Sequence, residues 1–199
     1  MLKRMKRNDH KGARLVLTRR LKWLGRDEDG VAAIEFAFIL PFLVMLLLGA
    51  MELFNMSQAS RKLTLATTTM GDLVTQAGNR ISMTDINGYY AATKPIMGAL
   101  PPERLAISIF TYTLDNNNRP RLSWQVHKGS YRCSNAPTLT SQQRQAMQDG
   151  NDLVITRGCY KYRLTLGRII FTDTEMEMRD EVTFRPRNSL TVECTNCSS

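Results

Sequence analysis

Hydrophobic and polar positions divide the chain into three stretches with different periodicity. Residues 1–29 are polar and basic. The run VAAIEFAFILPFLVMLLLGAM, from Val31 to Met51, is apolar for about 21 residues and broken only by Glu35, Pro41 and Gly49. At roughly 1.5 Å per residue, a helix of that length matches a hydrocarbon core of about 30 Å. It predicts a transmembrane helix over residues 31–54. Beyond it, Met56, Ala59, Leu63, Ala66, Met70, Leu73 and Ala77 recur three and four residues apart, and Gly78-Asn79 supplies a stop signal. The pattern predicts one long helix from Val31 to Ala77, with an extension over 55–80 that leaves the membrane. The seam fits packing on the chain's own domain and also contact with neighbouring subunits, at different heights along one helix.

After the helix the period changes. A second helix is expected from Thr84 to Leu100, capped by Ser82 or Thr84, ended by Pro101-Pro102 or earlier at Pro95. Leu105 to Leu114 alternates, Asp115 to Asn118 reads as a turn, and Arg121 to Lys128 pairs back as a hairpin. Ser134 to Gly150 reads as loop with a short helix at Ser141 to Gln148. Asp152 to Leu166 and Glu177 to Arg185 are two further strands. The fold class is α+β: a long N-terminal helix packed on a small antiparallel sheet, the globular part covering residues 81–199.

Charge orients this arrangement. Before Gly30 there are ten Lys/Arg against four acids, +6 of the total +9, leaving +3 for everything after. The positive-inside rule keeps residues 1–30 in the cytoplasm and sends the part after Met51 across the membrane, into the periplasm. Within this leader, Ala13 to Leu24 reads either as a surface-lying amphipathic helix or as a stretch without defined structure. The basic block adjoins a span and lacks aromatic interleaving beyond Trp23, so no nucleic-acid partner is expected. The leader is too long and the apolar run too extended for a secretory signal peptide.

All four cysteines follow the span, and an even count in an exported domain reads as disulfides with three pairings open. The expected pairing is Cys133–Cys159, closing a long loop, and Cys194–Cys197, closing a tight one. A four-cysteine zinc site would want a second CxxC, and a redox role for Cys194 and Cys197 would want a helix N-terminus. Neither is present in the pattern, and no metal or cofactor is expected.

Enzyme chemistry finds little to use. His10 and His127 are the two histidines, and a lone histidine on a strand is a structural or surface residue more often than a catalytic one. There is no phosphate-binding glycine loop, no HExxH and no calcium-loop spacing. Asp149, Asn151 and Asp152 around Gly150 read as a turn, and Glu175, Glu177 and Asp180 as a solvated strand edge. The sequence therefore predicts no enzyme. Glu35 stands out instead. An acid near the centre of a membrane helix costs about 2.5–3.5 kcal/mol, and such residues are usually paired and functional. A cut after Gly30 would give Val31 a new α-amino group one turn from Glu35, allowing each charge to offset the burial of the other.

These residues resemble a family. Gly30 before the cut, Glu35 followed by Phe36, Pro41 within the span, and Gly49-x-x-Glu52 at its outer end look like the processing site and helix of type IV pilin-like proteins. The match is closest to the TadE-like minor pseudopilins of the tight adherence (Flp) pilus system. Val154 to Tyr162 (VITRGCYKY) and Arg185-Pro186-Arg187 are similar to that family more loosely. The resemblance implies a bacterial inner-membrane precursor cut between Gly30 and Val31 by a prepilin peptidase. Its mature helix would then join other pilins, pseudopilins and the pilus assembly machinery, in the membrane or associated with the pilus. The alternative is an uncleaved single-pass membrane protein displaying a periplasmic binding domain.

Overall fold

The computed structural model describes residues 29–133, 135–147, 150–164 and 175–197. The leader segment Ala13–Leu24 and the expected strand end at Leu166 lie outside them. Helix α1 runs Asp29–Gln76. The chain falls into two compact units, Met1–Ala50 and Met51–Ser199, so the division lies within α1.

In the first unit the large apolar side chains from Val31 to Leu48 are exposed, with Phe38 and Phe42 each at 73%. A helix that is apolar all round and uncovered has no buried face in its own chain.

The second unit is built on a four-stranded antiparallel sheet. Its strands are β2 (Leu105–Leu114), β3 (Pro120–Lys128), β4 (Leu153–Arg163) and β5 (Glu175–Phe184), in the order β3-β2-β4-β5. The turn between β2 and β3 forms because Asp115 Oδ1 accepts the backbone N–H groups of Asn117 and Arg119, both at 2.8 Å, while Asn118 takes φ +55°. Asparagine tolerates that left-handed conformation better than most residues. β4 lies between β2 and β5 and is buried on both faces over most of its length.

One sheet face receives the C-terminal part of α1. Ala59, Leu63, Ala66, Met70 and Val74 are buried there with Leu105, Ile107, Ile109, Val154 and Tyr160. The expected seam holds through Met70, and then Val74 rather than Leu73 is buried. The buried steps of four, three, four and four follow a helix of 3.6 residues per turn; a 3.5-residue repeat would have kept Leu73 on the seam. The opposite face is covered by the loop that follows β3. Phe110, Tyr112, Leu139, Met147, Leu153 and Ile155 form a second core there. The Cys133–Cys159 disulfide, with Cα atoms 5.4 Å apart, ties this loop to β4. Cys194 pairs with Cys197, Cα atoms 5.6 Å apart.

The second helix, α2, runs Met83–Thr93, shorter than the expected Thr84–Leu100. Ser82 caps it, its hydroxyl accepting the Asp85 N–H at 3.2 Å while the Asp85 carboxylate accepts the Ser82 N–H at 3.0 Å. The chain tightens at Lys94–Met97 into a 3-10 turn that contains Pro95, since proline cannot donate the bond a further α-helical turn needs. Helix α3 (Ser141–Gln145) is a single turn capped by Thr140. Two three-residue strands not expected from sequence, β1 (Arg80–Ser82) and β6 (Glu193–Thr195), pair in parallel beside α2. Both are too short for the alternation of a strand to show.

Candidate functional site: the N-terminal helix and its anchorage

Gly30 and Val31 occupy the first turn of α1, and both are exposed. A Cβ built on Gly30 meets nothing within 4 Å. Glu35 and Phe36 follow one turn later and are also exposed, Phe36 at 58%. Val31 and Glu35 are i and i+4 on a continuous helix, so they share a face. Pro41 lies inside the helix without ending it. It supplies no N–H to the Ala37 carbonyl, leaving a backbone acceptor open within the apolar run.

Exposure changes at Glu52. Met51, Leu53 and Phe54 remain exposed at 56, 67 and 62%, but Glu52 is only 6% exposed. The Tyr162 hydroxyl donates to Glu52 Oε1 at 3.1 Å. Burial, followed by the neighbouring carboxylate, pushes the Tyr162 phenol up to about 12; near neutral pH it is therefore a donor. Glu52 is the first residue of α1 to be held by the sheet.

Two glycines then bring helix and sheet together. On β4, Gly158, Tyr160 and Tyr162 share the face toward α1. A Cβ on Gly158 would lie 2.0 Å from Thr67 Oγ1 and 3.0 Å from Leu63 Cδ1. On α1, a Cβ at Gly71 would lie within 2.8 Å of Thr156 Oγ1 and closer still to the Phe184 ring. Each glycine removes a side chain where the other element supplies one. The Thr67 hydroxyl, seated over Gly158, donates to the Leu63 carbonyl at 2.8 Å.

The C-terminal end of α1 is closed by the segment after β5. The Arg187 N–H donates to the Thr75 carbonyl at 3.2 Å, and Asn188 Nδ2 to the Gln76 carbonyl at 2.9 Å. These are among the last carbonyls of a helix, which lack intrahelical donors. The Arg187 guanidinium pairs with Asp72 Oδ1 at 2.9 Å. The same segment is fixed further on at Val192, whose N–H donates to Asp152 Oδ2 at 2.9 Å and whose carbonyl accepts from Trp124 Nε1 at 2.7 Å. Asp152, expected in a turn and at the start of a strand, is 3% exposed and acts as this anchor. Burial raises its carboxyl above the usual range, against the opposing effect of the bond from Val192.

The remaining expected positions divide. Glu175 and Glu177 do lie exposed on edge strand β5, paired with Arg163 at 3.1 Å and Arg179 at 2.7 Å. Asp180 differs: it stands opposite Gly158 in the register, and its Oδ2 is buried. The one-residue alternation of β5 turns it away from the exposed row that holds Glu175 and Glu177. His127 Nδ1 lies 2.7 Å from Ser108 Oγ, and its ring packs edge-on against Phe110. Burial, then Arg132, lowers its pKa, so the ring is neutral near pH 7. Among the described residues no group of His, Cys, Asp or Glu side chains is arranged to hold a metal.

Tyr162, Gly158, Gly71 and the closure by Arg187 and Asn188 were not singled out as site residues in the sequence. The alternation in VITRGCYKY carries the signal for two of them, because a period of two puts Gly158 and Tyr162 on one face.

Comparison with known families gives an independent result on the same helix. The family model described as TadE-like protein matches residues 30–69, beginning at Gly30 and ending inside the packed part of α1. Over this helix the chain is similar to the TadE-like family, as the resemblance implied. No curated protein and no solved structure matches it.

Proposed function

We propose that the protein is a minor pseudopilin-like membrane subunit used in biogenesis of a tight adherence (Flp) pilus, cut after Gly30 by a prepilin peptidase. The observation that carries this reading is the helix itself. It is long and apolar enough to cross a membrane, its first part is exposed on every side, and it matches the TadE-like family from Gly30 onward. Lipid, or the equivalent helices of other pilins, covers that surface. The basic residues before Gly30 hold the N-terminus in the cytoplasm and leave the sheet domain in the periplasm. Oxidised cysteines fit that compartment.

The exposed Gly30–Val31 peptide bond is available to a membrane-embedded peptidase. After cleavage, the Val31 ammonium lies one turn from Glu35 on the same helix face, where it pairs with this carboxylate or with that of an adjacent subunit. The protein acts by assembly rather than catalysis, and Glu35 registers the helix against its neighbours.

Intact-mass and N-terminal analysis of protein from cells with and without the peptidase tests this directly. The expected mature chain begins at Val31 only when the peptidase is present. A chain beginning at Met1 in both strains refutes processing and leaves the uncleaved single-pass display protein as the reading. Glu35→Ala should permit cleavage but reduce piliation. Normal pili in that variant would remove the pairing role.

A further inference from the structure

A cleft opens at the end of the sheet opposite the Glu52–Tyr162 contact, between the β2–β3 turn and the loop that carries α3. One lobe, of about 750 Å³, is lined by Leu114, Asn118, Pro120, Leu139, Arg144 and their neighbours. A second, of about 470 Å³, adds Tyr112, Arg119 and Pro137 and shares Pro120, Leu139 and Arg144 with the first. Leucine and proline form the apolar part of its lining, beside polar Asn118, Ser141, Gln145 and Thr138, and two guanidinium groups, Arg119 and Arg144, stand along it.

Both arginines are exposed, and neither forms an ion pair or a side-chain hydrogen bond with another described residue. The nearby carboxylate of Asp115 accepts the backbone N–H groups of its own turn and attracts Arg119 without forming an ion pair with it. The walls are fixed in advance. The Tyr112 hydroxyl donates to the Pro137 carbonyl, Thr140 and Gln143 form a reciprocal cap at the start of α3, and Gln143 Nε2 reaches Thr183 Oγ1 at 2.9 Å. The Cys133–Cys159 disulfide closes the same loop onto β4. A preformed cleft spends less of its binding energy on ordering itself.

We infer that this cleft is a docking site for an acidic, aliphatic peptide segment of a partner protein, its carboxylates held by Arg119 and Arg144 and its apolar side chains seated on Leu114, Leu139 and Pro120. Arginine presents a planar fork matched to carboxylates. The apolar part of the lining separates this ligand from a sulfated polysaccharide, which would use the cations and leave leucine and proline uncovered.

The test uses the full chain in detergent micelles and a short fluorescein-labelled peptide of alternating glutamate and leucine, read by anisotropy at low ionic strength. Saturable binding is expected, weakened at least tenfold in Arg119→Gln/Arg144→Gln and by Leu139→Ser. Both arginines are exposed and neither is in an ion pair among the described residues, so the double variant should keep the parent melting transition. Leu139 is buried, so loss of binding in Leu139→Ser counts only if its melting transition persists. Arg119→Glu/Arg144→Glu should prefer the corresponding lysine–leucine peptide, which keeps the test independent of Leu139. Absence of binding, equal binding of the lysine–leucine peptide to the parent, or affinity unchanged in the arginine variants overturns the proposal. So does equal binding of heparin fragments or polyglutamate, since the apolar part of the lining would then contribute nothing.

Discussion

Replacing Gly158 with alanine probes the contact by which the sheet holds α1. The new Cβ would sit 2.0 Å from Thr67 Oγ1, 3.0 Å from Leu63 Cδ1 and 3.2 Å from Thr67 Cβ. None of these neighbours is the loose end of a surface side chain: Thr67 is fully buried and Leu63 is 2% exposed. Relief therefore requires Thr67 to rotate, breaking its bond to the Leu63 carbonyl, or the helix to lift from β4. Overpacking of this kind costs about 1–3 kcal/mol, and a lost internal hydrogen bond adds about 1 kcal/mol. The expected total is about 2–4 kcal/mol, seen as a fall of several degrees or more in the melting temperature of the full chain in detergent. Thr67→Ala removes the atom at 2.0 Å but leaves the Cβ at 3.2 Å. The double variant Thr67→Ala/Gly158→Ala should therefore recover part of the loss, with a coupling energy above 0.5 kcal/mol. Strict additivity of the two substitutions, or no destabilisation by Gly158→Ala, would refute the close helix–sheet approach.

Tyr162→Phe removes a hydrogen-bond donor from the buried Glu52 carboxylate and should cost about 1–3 kcal/mol; combining it with Glu52→Leu should give much less than the sum in chemical denaturation. Reducing Cys133–Cys159, whose partners are 26 residues apart, should lower stability by about 3.5 kcal/mol on the loop-entropy estimate, and Cys133→Ser/Cys159→Ser should reproduce the loss in thermal melts. At Asp152 the folded pKa is raised above its usual value of 3.8, so the folded state binds the proton more tightly than the unfolded chain. Its contribution is then greatest below pH 3.8 and declines as pH rises through the raised value, staying level at higher pH. Asp152→Asn should remove the part of the stability–pH curve that declines above pH 3.8, which parallel denaturant titrations would show.

Much of the fold was legible because single periods persist over long stretches. The helix from Val31 to Ala77 carries first a continuous apolar run and then a seam, and its observed span is Asp29–Gln76. Strand Leu105–Leu114 matches its expected bounds because alternation ends at an Asp-Asn turn. The disulfide partners were legible from the even cysteine count and the spacing. What was not legible depends on contacts distant in sequence. Nothing local distinguishes Asp152, which meets Val192 40 residues later, from a turn residue. Asp180 looks like its exposed neighbours Glu177 and Glu181 until the register with Gly158 assigns it to the other face. The β1–β6 pair joins residues more than a hundred positions apart. At the candidate site, Gly30, Glu35, Pro41 and Glu52 were all named from sequence, but the residue that holds Glu52 was not.

Glu52 and Tyr162 explain why an acid can follow directly on an apolar run of this length. Left beside lipid, a carboxylate at that position would draw water toward the end of the helix. Tyr162 instead presents a hydroxyl to it from the sheet, on the same strand whose Gly158 admits Thr67 about four turns of α1 further along. The residues on either side, Met51 and Leu53, keep their exposure, so burial of Glu52 is specific to the face that meets β4. The two apolar patterns in α1 therefore serve different partners. The all-round pattern before Glu52 suits surroundings apolar in every direction, and the one-sided pattern after it suits a single sheet. The carboxylate marks the turn where one requirement replaces the other. A neutral apolar residue there would lengthen the run, erase that mark and take from the Tyr162 hydroxyl its carboxylate acceptor.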